Sequence, residues 1–417
     1  MKGFYLIDRI KDIVKKHAPK QDKRTKIEPL LLLTHFILQF KGDVKKFTLE
    51  SIRLSVCSAV GISTSRSAFW ERLGTKRLSR MLYATLSDIT ELFSDSCGVN
   101  QKLMQTLGVS DILLFDATIV TLGKNAKEAF NGTFTASAIK YHLQMNGISG
   151  AIKWVILSSA SIHDNCAFPN VKSLIGKLSL FDLGYYDWAR FKLMDDNGAL
   201  FLSRLKNRSS VKIIEIISGF GKKHIGKKLN QVHIKNCRGE IVEFITLRII
   251  EGKEVRLRVI GFWNKDQKKY HWYVTNLKCE ALLIAPLYRL RWQIELLIKA
   301  AKQSLNLDEI PSENENIIIN ICVARLIALA LSMSIRRIAF LNAQTAKHDS
   351  ISVLRAAKVL SQLSTNLIHY IVEGSIQISS TILKRQISVL LPELFDPNAT
   401  KRKTTMGRIN DLVESLP

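Results

Sequence analysis

The sequence predicts an α/β protein whose strand-rich middle is flanked by helical segments. Three observations carry this expectation. Near both ends of the chain, apolar residues recur at three- and four-residue spacing, the mark of helices with one buried face. From about 107 to 203, short apolar runs of strand length alternate with helix-like stretches. From 209 to 278 the pattern is almost purely that of strands.

Taken in order, residues 1 to about 100 read as helical, with clear periodicity over 30–40 and 69–93. Residues 48–60 predict a shorter helix that Gly61 would stop, and Ser63-Thr64-Ser65-Arg66-Ser67 reads as the polar start of the next. Two helices about a Gly turn are compatible with a helix-turn-helix, and also with any helical domain. Strands are expected over 111–120, 138–145 and 151–160, a helix over 168–178, a strand over 178–182, a helix over 188–195 and a strand over 199–203. Further on, 241–250 and 254–260 alternate around a hairpin turn at Glu251-Gly252-Lys253, and 270–277 reads as a last strand. Helix resumes at about 280, with Pro286 in its first turns or just before it. Residues 312–417 are helical and end in a basic stretch, Lys401-Arg402-Lys403, and a short tail. The expected division is a helical N-terminal DNA-binding region at 1–104, an α/β domain at 105–305 and a helical C-terminal region at 306–417.

Sixty-one Lys and Arg against 36 Asp and Glu give a net charge of +25, spread from Lys2 to Arg408. Such a field favours polyanions, nucleic acid before an anionic membrane surface. With 47% hydrophobic residues the chain is no disordered polycation. Cysteines at 57, 97, 166, 237, 279 and 322 show no C-x-x-C spacing, which argues for a reduced, intracellular chain and against a zinc finger. Residues 1–20 are charged and carry no signal core. The apolar run 317–335 approaches membrane-spanning length, but Arg325 sits at its middle and Asn320 near its start. With a capping box at 312–315 and Arg336-Arg337 at the far end, it reads as a buried helix.

Acids inside apolar runs are the next signal, because a buried carboxylate is costly unless paired, hydrogen-bonded or on a metal. Asp116 lies within Leu113-Leu-Phe-Asp-Ala-Thr-Ile-Val120, and Asp182 ends the run before Leu183-Gly184-Tyr185. Either alone could be a cap or an ion-pair partner. Tyr288, Arg291, Glu295 and Lys302 share a spacing that places them on one stripe of a helix. The plain reading of that stripe is a helix surface with an Arg–Glu pair. His163-Asp164 reads as a structural loop more readily than as a metal pair, and Lys140-Tyr141-His142 lies on a strand that could face the acids.

Tyr288-x-x-Arg291-x-x-x-Glu295-x-x-x-x-x-x-Lys302 resembles the Y-(2)-R-(3)-E-(6)-K signature of a large group of bacterial insertion-sequence DDE transposases. Asp116-Ala-Thr and Asp182-Leu-Gly-Tyr-Tyr-Asp resemble the neighbourhoods of that family's first and second acids. The resemblance covers roughly 105–305 and implies a ribonuclease-H-like catalytic core. In that fold the first Asp lies on the first strand, the second follows the fourth, and the Glu lies on a late helix. The β-rich block at about 209–278 then corresponds to the family's insertion.

The resemblance also implies the chemistry. Asp116, Asp182 and Glu295 would be catalytic and would hold two Mg²⁺ ions, for which Mn²⁺ can substitute, with Asp116 bridging. Tyr288, Arg291, Lys302 and Arg204 would hold DNA phosphates, and Trp272 would stack a flipped base. Trp272 stands about one residue from the matching place, however, which in a strand reverses its face. Core packing is the alternative for it, and Trp263 a weaker candidate. The implied partners are double-stranded DNA, as terminal inverted repeats and as target, and a second copy of the chain in a homodimer that the helical region 306–417 would support. No membrane is implied, and the implied place is the bacterial cytoplasm, on the nucleoid. A ribonuclease-H-like nuclease without strand transfer and an inactive DNA-binding relative are the alternatives.

Overall fold

The computed structural model describes residues 1–18, 27–40, 47–92, 100–206, 209–232, 241–343, 351–373, 378–397 and 403–416. Cys97, Cys237, Lys401 and Arg402 lie outside the described residues. The helices are α1 (Tyr5–His17), α2 (Pro29–Leu38), α3 (Leu49–Val60), α4 (Arg66–Leu73), α5 (Lys76–Leu92), α6 (Gln101–Leu107), α7 (Trp188–Asp196), α8 (Ala281–Arg289), α9 (Trp292–Leu305), α10 (Glu315–Asn342), α11 (Val353–Val372), α12 (Ser380–Leu390) and α13 (Thr405–Ser415). The strands are β1 (Asp111–Thr121), β2 (Ala138–Asn146), β3 (Ile152–Ser159), β4 (Lys177–Phe181), β5 (Leu200–Arg204), β6 (Lys212–Ser218), β7 (Ile241–Ile250), β8 (Lys253–Asn264) and β9 (Lys269–Thr275).

The nine strands among the described residues join in one sheet, in the order β3-β2-β1-β4-β5-β9-β8-β7-β6. β1 pairs parallel with β4 and β4 with β5, and every other neighbouring pair is antiparallel. The expected β-rich block is therefore no separate module, because β9 pairs with β5 and extends the sheet. Its β7–β8 hairpin turns on Glu251 (φ 49°) and Gly252 (φ 74°), the two left-handed residues that a tight hairpin turn needs.

The helix expected over 168–178 is replaced by short 3-10 turns and by β4, which starts at Lys177. Pro169 and Gly176 leave too few uninterrupted residues for a helix. The helix expected over 69–93 is two helices, α4 and α5, divided at Gly74. The expected short helix at 48–60 is α3, whose cap is Thr48, accepting from Ser51 N at 3.1 Å, and whose stop is Gly61 at φ 69°.

Helices from both ends of the chain share one hydrophobic cluster with the sheet. Its axis is α10, which packs on α2, α5, α9 and α11. This helix is long and apolar enough to cross a membrane, yet it is almost wholly buried within the fold. Its cap is Asn314, which accepts from Ile317 N at 3.1 Å, rather than the expected Ser312. Arg325 in its middle is 1% exposed. It donates to the carbonyls of Gln39 (3.0 Å) and Ile37 (3.4 Å), just past the end of α2 and in its last turn. A cation is well placed at a helix C-terminus.

Candidate active site

The sheet register brings the first two acids together. In the parallel pair β1–β4, Leu114 stands opposite Leu180. Two residues further along each chain come Asp116 and Asp182, at the same level. Asp116 Oδ1 accepts from Ala117 N at 2.8 Å. Asp182 Oδ1 accepts from Gly184 N at 2.8 Å and so caps the 3-10 turn Leu183–Tyr185. The third acid arrives from elsewhere in the chain: Glu295 lies in the first turn of α9, and α9 packs against β1.

Arg291 links the set. Its guanidinium lies 3.6 Å from Asp116 Oδ2 and donates to Glu295 Oε1. Burial pushes the Asp116 carboxyl up to about 6, Arg291 opposes the rise, and the charges of Asp182 and Glu295 add to it. The three acids are thus within electrostatic reach of one another. Among the described residues no three His, Cys, Asp or Glu side chains are drawn together as a ready metal cage. Arg291 stands between Asp116 and Glu295 where a cation would neutralise both. The donor set nonetheless suits a hard divalent ion, since all three donors are carboxylates and their charges press on one another.

The expected stripe does not lie on one helix. Tyr288 is in the last turn of α8, Arg291 sits at the junction, and Glu295 and Lys302 are on α9. The junction is tightened by i→i+3 bonds, Leu290 N to Leu287 O and Arg291 N to Tyr288 O. Pro286 lies inside α8, in its second turn. The break leaves Tyr288, Arg291 and Glu295 close: the Arg291 guanidinium is 5.8 Å from the Tyr288 ring centroid. Lys302 is half-buried in the last turn of α9, two turns beyond Glu295.

A cleft of about 690 Å³ opens beside the acids. Arg204, Arg291, Tyr288 and Trp292 line it, together with His271 and Arg408. Arg204, at the end of β5, donates to His271 Nδ1 on β9. Trp292 is 58% exposed, an unusual place for an indole. In sequence it is one of the apolar residues that fill out the Glu295 helix, and nothing there marks it as exposed.

Trp272, the expected stacking residue, is 4% exposed and packs among Phe220, Phe244 and Tyr270. Opposite it in the ladder stands Gly261, where a Cβ would come within 2.3 Å of the indole ring. This corrects the stacking expectation in favour of the core-packing alternative, because no face of the ring is open to a base. Trp263 is half-buried against Tyr270.

The two minor clusters are structural neighbours of the acids. Lys140 Nζ holds Asp164 Oδ1 at 2.9 Å and the Ile162 carbonyl at 2.7 Å. His163 Nδ1 accepts from Asn165 N and so caps the same turn. A Cβ on Gly184 would lie 2.6 Å from Asp164 Oδ2 and 3.0 Å from Asp182 Oδ1, so the two carboxylates flank that glycine. Asp164 therefore supports the loop that carries Asp182. No spacing rule links 164 to 182 in sequence.

The raised Asp116 carboxyl has a measurable consequence in metal-free protein. Its folded pKa, about 6, lies above the ordinary 3.8, so the folded chain keeps a proton that the unfolded chain gives up. Stability therefore falls as pH rises from about 4 to about 6 and stays lower above that window. Asp116→Asn removes this term. Thermal melts in EDTA should show the variant gaining on the parent as pH rises through the window; a constant difference would contradict the shift.

The family model described as Transposase DDE domain matches residues 108–331, more than half of the 417, and the chain belongs to that family. It is 25% identical over 324 residues to the transposase for insertion sequence element IS1151 of Clostridium perfringens, covering 66% of this chain and 67% of that one. It is also 25% identical over 249 residues to y4zB of Sinorhizobium fredii, which carries a transposase name, covering 58% and 65%. The chain thus spans about two thirds of the length of these relatives. A cryo-EM structure of piggyBac transposase in a synaptic complex with hairpin DNA is similar with a TM-score of 0.40 and 8% identity, over 97% of this chain and 80% of that one. The resemblance read from the sequence is borne out at the level of the family, a DDE transposase related to insertion-sequence enzymes.

Proposed function

We infer that this chain binds the terminal inverted repeats of its own element, cuts there by metal-dependent phosphodiester hydrolysis and joins the freed 3′ hydroxyls to target DNA. One observation carries the reading. Asp116, midway along β1, and Asp182, just past the end of β4, each follow by two residues the paired Leu114 and Leu180 of these adjacent parallel strands, and α9 packs Glu295 against β1. The first strand, the end of the fourth strand and a late helix are where a ribonuclease-H-like core would hold its acids.

Asp116, Asp182 and Glu295 would hold Mg²⁺, or Mn²⁺ in its place. Divalent ions there would polarise the attacking oxygen and stabilise the leaving one. The chain's own residues then have distinct tasks. Arg291 holds Asp116 and Glu295 together and neutralises them in the free enzyme. Tyr288 and Arg291 line the cleft side by side, the guanidinium 5.8 Å from the ring centroid, and would offer their donors to a phosphate oxygen there. Arg204 stands across the same cleft, and Lys302 serves the backbone further along α9. Trp292 offers the open aromatic face that Trp272 lacks. α3 and α4 would be the end-recognition helices, and α11 and α12 would supply a homodimer contact that pairs two ends.

The test is a cleavage assay on a labelled fragment carrying the inverted repeats that flank the gene, with Mg²⁺ or with EDTA. Metal-dependent nicks at the repeat boundary, followed by strand joining, support the reading. Metal-dependent cutting without end preference favours a nuclease, and binding without nicks an inactive relative. Arg204→Ala and Lys302→Ala should each lower the dependence of log affinity on log salt by about one unit, as one lost phosphate contact does. An unchanged slope in either variant removes that residue from the interface.

A further inference from the structure

The cleft beside the acids holds more positive charge than the residues assigned above account for. Four arginines line it from four separate places: Arg204 on β5, Arg289 on α8, Arg291 at the α8–α9 junction and Arg408 on α13. No carboxylate is among the lining residues described, and since Arg291 is already paired with Asp116 and Glu295, the uncompensated charges of the wall are Arg204, Arg289 and Arg408. Guanidinium groups repel one another at close range unless an anion lies between them. An arginine's planar fork also matches a phosphate's oxygens better than any other cation does.

The presence of α13 in this wall is not accidental in physical terms. Met406, Ile409 and Val413 fall at helical spacing and are buried. They seat the helix against α8 and α6. With that face committed to the core, the first turns of α13 present Thr405 and Arg408 to the cleft. Arg408 is exposed. It also lies far outside the residues matched by the family model, 108–331.

We propose that α13 is a wall of the DNA cleft and that Arg408, which lines it together with Arg289, grips the DNA backbone next to the cut. The ligand is a run of closely spaced phosphates, about one charge per 1.7 Å along a duplex, rather than a single small anion. This rests on the transposase reading only in taking the polyanion to be DNA. It gives the C-terminal helix a direct part in substrate binding, where the sequence suggested only a helical region and a dimer contact.

The test uses the full-length protein in EDTA, so that nothing is cut, and fluorescence anisotropy of a labelled duplex carrying the flanking repeat across a salt series. Arg408→Ala should lower the salt slope by about one unit and weaken low-salt binding several-fold, with its melting temperature unchanged because the side chain is exposed. Arg408→Lys should recover most of the slope, since the charge remains. Arg385→Ala, which removes an exposed arginine of α12 that does not line the cleft, should match the parent. A parent-like slope for Arg408→Ala overturns the proposal, as does an equal loss in Arg385→Ala, which would leave only a diffuse field. A parent protein that binds with no salt dependence at all would instead remove the DNA reading beneath it. A parent that binds, an Arg204→Ala that loses slope and an Arg408→Ala that does not would sink this inference alone.

Discussion

Asp116→Ala, Asp182→Ala and Glu295→Ala should each lower end cleavage about a thousandfold or more, a barrier rise of about 4 kcal/mol, while leaving binding of the repeat duplex within a few-fold of the parent. The separation of the two effects follows from position. Asp116 lies midway along β1, Asp182 just past β4 and Glu295 in α9, beside the arginine-lined cleft and not among its lining residues. Removing a carboxylate next to a polyanion cannot weaken binding electrostatically and should even strengthen it slightly. A variant that cut at the parent rate would exclude that residue from the chemistry. Parallel loss of cutting and binding would mean that the acid supports the fold instead. Glu295→Ala is the most informative of the three, because Glu295 also holds Arg291, and its loss frees that guanidinium to move.

Arg325→Ala should be the most damaging substitution away from the site, lowering stability by about 2–5 kcal/mol, as large-to-small changes in a core do. The side chain is fully enclosed in α10. It donates to two carbonyls at the end of α2, and its guanidinium lies 4.4 Å from the Phe47 ring centroid and 5.4 Å from that of Phe40. Burial lowers its pKa only to about 10, so it stays charged at neutral pH. Truncation would leave a cavity and strand both carbonyls. Arg325→Met fills much of that volume and should cost clearly less. Urea or thermal midpoints of the two variants check this, and equal losses would show that the hydrogen bonds, rather than the space, set the cost.

The part of the fold governed by local pattern was legible in the sequence. Strands β1 to β5 and the β7–β8 hairpin follow from short apolar runs and from Glu251-Gly252, and α2, α3 and α9 from helical spacing and caps. The acids were legible because carboxylates in apolar runs are costly, and the resemblance linked them in order. Long-range matters were not legible. Periodicity could not show that β9 would pair with β5 and fuse the insertion to the main sheet. Nor could it show that the Tyr288–Lys302 stripe would break at Leu290–Arg291, where the residues have no strong helix-stopping preference. Sequence left Trp272 open between stacking and core packing, because its exposure depends on Gly261 across the ladder. Trp292 and Arg408 were overlooked because what marks them is a shared cleft between segments more than a hundred residues apart.

The central claim is that Asp116, Asp182 and Glu295 form one divalent-ion site. Its most direct test is a Mn²⁺ titration of the DNA-free protein, followed by the loss of the free-ion electron paramagnetic resonance signal. The account predicts saturable binding by the parent, weakened about tenfold or more in each of the three Ala variants. It also predicts that Arg291→Gln binds at least as tightly as the parent, since a competing cation has gone from between Asp116 and Glu295. Parent-like Mn²⁺ binding in any of the three acid variants would contradict the site as drawn.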